Sequence, residues 1–152
     1  MFRRSCGVSG VAVISAALAT AIGLPASANP VVSVRIGNAS SAFDLAYAAS
    51  ASSLGGFVTA ENAPLAAIPR QSSDAYAVTS ASPRAIAGAL IYRAAGEPTR
   101  ECTFRYTLTY TGARYVVAVD ARASWTGQVR CTASASALER TKGDFTVTFT
   151  MQ

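Results

Sequence analysis

The sequence of 152 residues contains no histidine and only three cysteines, and these shortages exclude much of the common chemistry of proteins. Serine and cysteine nucleophiles are usually activated near neutral pH by an imidazole, which this chain does not have. Histidine-ligated zinc is excluded for the same reason, and no two cysteines have the CxxC spacing of a thiolate site. The sequence therefore predicts no metal site, no cofactor and no catalytic residue.

Carboxylates remain as a possible source of catalysis, because glycosidases need only aspartate and glutamate. The acidic residues of the chain after its N-terminal segment are scattered and mostly fall in or beside expected turns, where solvation is the simpler interpretation: Asp44, Glu61, Asp74, Glu97, Glu101, Asp120, Glu139 and Asp144. We therefore expect a non-enzymatic protein, with a carboxylate-dependent enzyme acting on glycans as the alternative.

The N-terminal segment has the pattern of a secretory signal peptide. A basic pair, Arg3 and Arg4, precedes an apolar run from Val11 to Leu24, and small residues follow it up to Ala28. The run is shorter than the roughly 20 residues that cross a bilayer. We predict cleavage after Ala28, secretion to an extracellular or periplasmic location, and a single mature domain of residues 29–152.

Cleavage would remove Cys6 and leave Cys102 and Cys131 as the only cysteines. In an oxidising compartment two such cysteines are expected to form a disulfide. Closing a loop of about 30 residues stabilises a small domain by ~3 kcal/mol in the chain-entropy description.

The net charge is low once the basic pair at the N-terminus is removed, falling from +5 to +3. Nucleic-acid binding usually requires basic residues clustered along one face, whereas these are spread along the chain. We therefore expect no nucleic-acid partner.

Apolar and polar residues alternate along much of the chain, most clearly in residues 101–110 and 145–151. A period of two residues is typical of a strand with one buried face. Eight to ten such short strands, with turns between them, predict an all-β antiparallel β-sandwich, with a β-barrel as the alternative closure. The first two strands, around Val34 and Leu45, are expected to form a hairpin, and so are the strands before and after Gly112.

Five residues are candidates for binding a ligand. Trp125, the only tryptophan, and Phe57 are expected in or beside loops, where an aromatic ring can contact a sugar or a lipid. Arg93, Arg105 and Arg130 are expected to point outward and could share a face that meets anionic headgroups. The alternatives are that Trp125 and Phe57 each fold back onto the core and that the arginines keep the sheet surfaces soluble.

Six stretches in the first two-thirds of the mature chain resemble the aegerolysin family. They are the strand ending in Asn38-Ala39-Ser40, the Leu45 strand, the Gly55-Gly56-Phe57 step, the segment from Pro64 to Ile68, and the strands Tyr76 to Ser80 and Gly88 to Tyr92. The resemblance implies a secreted, actinoporin-like β-sandwich that recognises membrane lipids, often sphingolipids, and sometimes acts with a pore-forming partner. The tryptophan-rich stretch of aegerolysins is replaced here by the lone Trp125.

These observations lead to a secreted binding protein that recognises a membrane lipid or a surface glycan through loops, and that could assist a pore-forming partner. The alternative is a structural or adhesive subunit of a surface assembly, linked by exchange of its terminal strands.

Overall fold

The computed structural model describes residues 29–124 and 129–152, which form ten strands and two short 3₁₀ helices at Ala49–Ala51 and Ala60–Asn62. The predicted signal peptide and Trp125 lie outside the described residues. The strands are β1 (Val31–Asn38), β2 (Leu45–Tyr47), β3 (Gly56–Phe57), β4 (Ala67–Ile68), β5 (Ser72–Ser80), β6 (Ala85–Ala94), β7 (Glu97–Tyr110), β8 (Tyr115–Ala123), β9 (Cys131–Ser136) and β10 (Phe145–Met151). Within these ranges no helix is long and apolar enough to cross a membrane.

The strands form two five-stranded sheets that pack face to face. Sheet A has the order β3-β5-β1-β10-β9, and sheet B has the order β4-β2-β6-β7-β8. The paired strands run antiparallel except for β1 and β10, which are parallel neighbours in sheet A. The predicted sandwich is confirmed, whereas the barrel alternative is wrong because the sheets do not close on each other.

The core lies between the sheets and follows from the alternation in β7 and β10. Every second side chain of β7 from Cys102 to Leu108 is buried, and so is every second side chain of β10 from Phe145 to Met151. The rings of Phe104 and Phe149 stack across the two sheets with their centroids 4.8 Å apart. Such aromatic pairs add to the stability that burial of their area already provides.

Gly88 is required where β6 meets β7. It lies opposite Tyr106 in the register, and a Cβ at Gly88 would come within 2.2 Å of Cζ of that ring. The ring therefore lies over the glycine, and its hydroxyl donates a hydrogen bond to the carbonyl oxygen of Leu54. Because Leu54 lies in the segment that crosses from sheet B to sheet A, this bond fastens the crossing to the core.

Two other tyrosines, Tyr76 and Tyr92, bury hydroxyl groups that have no hydrogen-bond partner among the described residues. Burial raises the pKa of Tyr76, Tyr92 and Tyr106 well above the usual tyrosine value, so all three side chains are neutral at physiological pH. Of these three hydroxyl groups, only that of Tyr106 therefore has a hydrogen-bond partner among the described residues.

The chain leaves β1 in a direction that the sequence pattern does not predict. The expected hairpin of the first two strands is wrong, because β1 belongs to sheet A and β2 to sheet B. The side-chain amide of Asn38 donates to the carbonyl oxygens of Phe43 and Pro69 at 2.9 and 3.1 Å, and its Oδ1 accepts from the backbone of Ser40 at 3.1 Å. These bonds hold the segment after β1 in a path that leads to sheet B, so the chain does not turn back to pair with β1. The expected hairpin of β7 and β8 is confirmed.

The predicted disulfide is confirmed. Cys102 in sheet B is bonded to Cys131, the first residue of β9 in sheet A, and their Cα atoms are 5.8 Å apart. The bond joins the two sheets across the side of the sandwich on which β8 and β9 form the edges.

Replacing both cysteines, as in Cys102→Ala with Cys131→Ala, is expected to lower the free energy of unfolding by ~3 kcal/mol, because the unfolded chain regains the freedom of the closed loop. Denaturant titration followed by tryptophan fluorescence measures the change. Reduction of the unmodified protein serves as the control and should give a similar loss. Equal stability of the oxidised protein and the double variant would contradict this role.

Tyr106→Phe and Tyr76→Phe form a matched pair, since each removes one buried oxygen. Tyr106→Phe is expected to cost about 1 kcal/mol or more, because it leaves the Leu54 carbonyl without its donor. Tyr76→Phe is expected to lower the stability by less than Tyr106→Phe does, because the lost hydroxyl lies near that of Tyr92 and leaves no backbone carbonyl without its donor. The same denaturant titration checks both, and an equal loss in the two variants would refute the distinction.

Candidate functional site

The structure describes one of the two candidate aromatic residues, Phe57. Phe57 lies in β3, at the edge of sheet A, opposite Thr79 near the end of β5. Its side chain is 69% exposed, so it does not belong to the core. Trp125 lies outside the described residues, and its expected role stays a prediction.

The three candidate arginines do not form one face. Arg93 and Arg105 lie on the outer surface of sheet B, where Arg93 Nε is 2.7 Å from Glu101 Oε2 and Arg105 lies opposite Asp120 in the register. Arg130 precedes β9 at the edge of sheet A, and its backbone pairs with that of Gln152. Arg93 is thus paired with a carboxylate, whereas Asp120 forms its ion pair with Arg122 at 2.7 Å, and Arg130 lies apart from both candidate arginines of sheet B.

A different group of residues comes together at one end of the sandwich, where three turns meet. We call residues 81–84, 111–114 and 137–144 the loop end. The hydroxyl of Tyr115 donates to the Pro83 carbonyl oxygen at 2.8 Å, and the backbone amide of Tyr110 donates to the Arg84 carbonyl oxygen at 2.7 Å. The ring of Tyr115 also packs against Gly143, whose φ of +78° suits a glycine. The three turns are therefore held against one another.

A groove opens at the loop end between β8 and β9. These strands are the edges of different sheets and lie side by side without belonging to one sheet. The disulfide joins the sheets at the Cys131 end of β9. The groove lies at the opposite end of β9, around Ser136. It has a volume of about 540 Å³, within the range of small-molecule sites. We call it the β8–β9 groove; its lining residues are Arg114, Tyr115, Val116, Val117, Ala135, Ser136, Ala137, Leu138, Arg140 and Phe145.

The groove combines an apolar floor with positive charge. Val117, Leu138 and Phe145 supply apolar surface, and Arg114 and Arg140 supply two guanidinium groups. Among the described residues no carboxylate lies within ion-pair distance of either arginine, and Glu139, which precedes Arg140 in the chain, pairs with Lys142 at 3.7 Å. The described residues of the lining include no carboxylate, thiol or imidazole, so they provide shape, apolar contact and positive charge.

Two exposed apolar side chains lie at the groove, Val116 in its lining and Tyr110 beside the lining residue Tyr115. Tyr110 is 37% exposed and Val116 is 43% exposed. The Tyr110 ring is held in place against the ring of Tyr115, with centroids 5.0 Å apart, and its hydroxyl donates to the Gly112 carbonyl oxygen. Large apolar groups exposed next to cations are typical of surfaces that contact a partner or a membrane.

Sequence analysis did not select Arg114, Arg140, Tyr110 or Val116. One local signal was present: Val116 interrupts the alternation of β8, placing an apolar residue on the outward parity between Tyr115 and Val117. The two arginines gave no signal, because they belong to turns that are separated in sequence and meet only in the fold.

The backbone of Ala137 is held in an uncommon conformation. Its φ is +54°, in the left-handed region that residues other than glycine rarely adopt. Ala137 lines the β8–β9 groove and also a smaller depression beside Asp144 and Val31. The strain therefore lies in the wall of the groove, a kind of place where proteins often retain it.

Comparisons with known proteins give a match at the level of the fold. The sequence matches no model of a known protein family and no curated protein. Among solved structures, the chain is similar to the crystal structure of the lipid binding protein Nakanori, with a TM-score of 0.59 and 15% sequence identity. The match covers 82% of this chain and 71% of that one. At this identity the likeness shows that the two proteins share a fold.

Ala137→Gly is expected to raise the free energy of unfolding by about 0.5–1 kcal/mol, because glycine adopts a positive φ without the penalty that alanine has. Ala135→Gly, in the extended backbone of β9, is the matched control and should lower stability by a similar amount. Thermal or denaturant unfolding measures both changes. A loss of stability in Ala137→Gly would show that its conformation is not strained.

Proposed function

We propose that this protein is a secreted, non-enzymatic lipid-binding protein that attaches to membranes through its loop end. The observation that carries the proposal is the placement of exposed Tyr110 and Val116 beside Arg114 and Arg140. Apolar groups can enter the interfacial layer of a bilayer, while neighbouring cations are attracted to anionic lipids. The combination at one end of a rigid sandwich suits attachment to a membrane surface.

Two comparisons support a lipid as the target. The sequence resembles the aegerolysin family, for which membrane lipids are the expected ligands. The fold is similar to that of Nakanori, which is described as a lipid binding protein. A distant aegerolysin-like relationship is part of this proposal, and so is export after cleavage at Ala28. Export is checked by the first residue of the protein recovered outside the cell, which should be Asn29.

A surface glycan fits the loop end less well than a lipid does. Among the described residues that line the groove, Ser136 has the only aliphatic hydroxyl, and none has a carboxamide or a carboxylate. A pore-forming partner remains a prediction from the family resemblance.

The structural-subunit alternative depended on exchange of the terminal strands. Both β1 and β10 are interior strands of sheet A, and each pairs with a neighbour on either side within the chain. Exchange would therefore require central strands to leave the sheet, which makes this alternative less favourable.

Flotation with vesicles tests membrane attachment. The protein is expected to float with vesicles of phosphatidylcholine containing phosphatidylglycerol, and Val116→Ser should weaken the partitioning about fivefold through loss of apolar contact. Leu65→Ser is the matched control, because Leu65 is also an exposed aliphatic residue, 49% exposed, but lies before β4, away from the loop end.

Two results would overturn the proposal. Absence of flotation with vesicles of every lipid class would exclude membrane binding. An equal loss in Val116→Ser and Leu65→Ser would mean that attachment does not occur through the loop end.

A further inference from the structure

We propose that the β8–β9 groove binds the phosphate of one anionic phospholipid between Arg114 and Arg140, with the glycerol and the first part of an acyl chain on the apolar floor. This inference rests on the proposed function, and it names the lipid class and the residues that would recognise it.

Charge complementarity favours an anionic headgroup. Arg114 and Arg140 come from different turns, both line the groove, and neither has a carboxylate within ion-pair distance among the described residues. A guanidinium binds a phosphate through two parallel hydrogen bonds, which gives both strength and orientation. The positive charge of these two guanidinium groups is not neutralised by a carboxylate among the described residues, and the negative charge of a phosphate diester can offset it.

A zwitterionic headgroup fits less well. Its ammonium group would need a carboxylate or a cage of aromatic faces, and the lining contains no carboxylate. The Tyr115 ring is only 7% exposed and packs against Gly143, so its face is not open to a ligand. Tyr110 has a partly exposed ring, but one ring does not form a cage around an ammonium group.

The apolar floor favours a lipid over free phosphate. Val117, Leu138 and Phe145 lie in the groove together with Arg114 and Arg140, so a ligand that fills it needs an apolar part next to its charge. The groove also opens at the loop end, beside exposed Val116 and Tyr110. A lipid that remains in the bilayer could therefore reach the groove while these side chains contact the membrane.

The test uses a lipid that can bind without a membrane. Short-chain dihexanoyl-phosphatidylglycerol, kept below its micelle concentration, is titrated into the labelled protein and followed by NMR. Saturable shifts are expected at the methyl groups of Val117 and Leu138. Arg114→Gln combined with Arg140→Gln should weaken binding at least tenfold, because each charged hydrogen-bonding group contributes strongly to affinity.

Two further variants make the result specific. Arg35→Gln with Arg122→Gln removes the same charge from exposed arginines on the outer faces of the sheets, and binding should change less than about twofold. Arg114→Lys with Arg140→Lys keeps the charge but loses the paired hydrogen bonds, and should give an intermediate affinity. Unfolding midpoints of all variants are measured to confirm that each is folded.

The possible outcomes distinguish failure of the groove site from failure of the proposed membrane attachment. Loss of binding only in the groove variants supports the proposal. Vesicle binding by the unmodified protein without binding of the monomeric lipid overturns the groove site but leaves membrane attachment standing. Equal losses in the groove variant and the outer-face variant also overturn the site. Inorganic phosphate that binds as tightly as the short-chain lipid would make the groove an anion site and overturn the lipid. Failure to bind monomeric lipid or any vesicle would overturn both proposals.

Discussion

The bond between Cys102 and Cys131 is the constraint on which the shape of this molecule depends. It ties β7 of sheet B to β9 of sheet A beside the stacked rings of Phe104 and Phe149. On this side of the sandwich the edge strands β8 and β9 belong to different sheets and do not pair. The covalent link therefore joins the two sheets at the Cys131 end of β9, whereas at the other end of β9 a groove separates it from β8.

The groove and the turns around it are positioned by contacts inside the protein. Tyr115 links the β7–β8 turn to Pro83 and to Gly143, so three turns that are separate in sequence behave as one surface. Polar groups that hold this surface together are satisfied within it, whereas Tyr110 and Val116 remain exposed. Apolar exposure on a well-ordered frame is what attachment to a membrane requires, since little further ordering opposes binding.

Much of the fold could be predicted from local patterns. The alternation of residues 101–110 and 145–151 identified two core strands, and the disulfide between Cys102 and Cys131 followed from the prediction that Cys6 is removed. The expected hairpin of β1 and β2 was wrong because a turn-like composition does not say where the next strand will pair. Here the Asn38 amide binds carbonyl groups of distant residues and directs the chain to the other sheet.

The sequence by itself determined the strands, their buried faces and the covalent link, because a two-residue period and a pair of cysteines are properties of short segments or of composition. Only the tertiary structure decided that Arg93 is paired with Glu101, that Phe57 and Arg130 lie on opposite edges of sheet A, and that Arg114 and Arg140 share a groove. The physical reason is that sheet order and edge placement depend on packing between residues far apart in the chain, which no local period encodes.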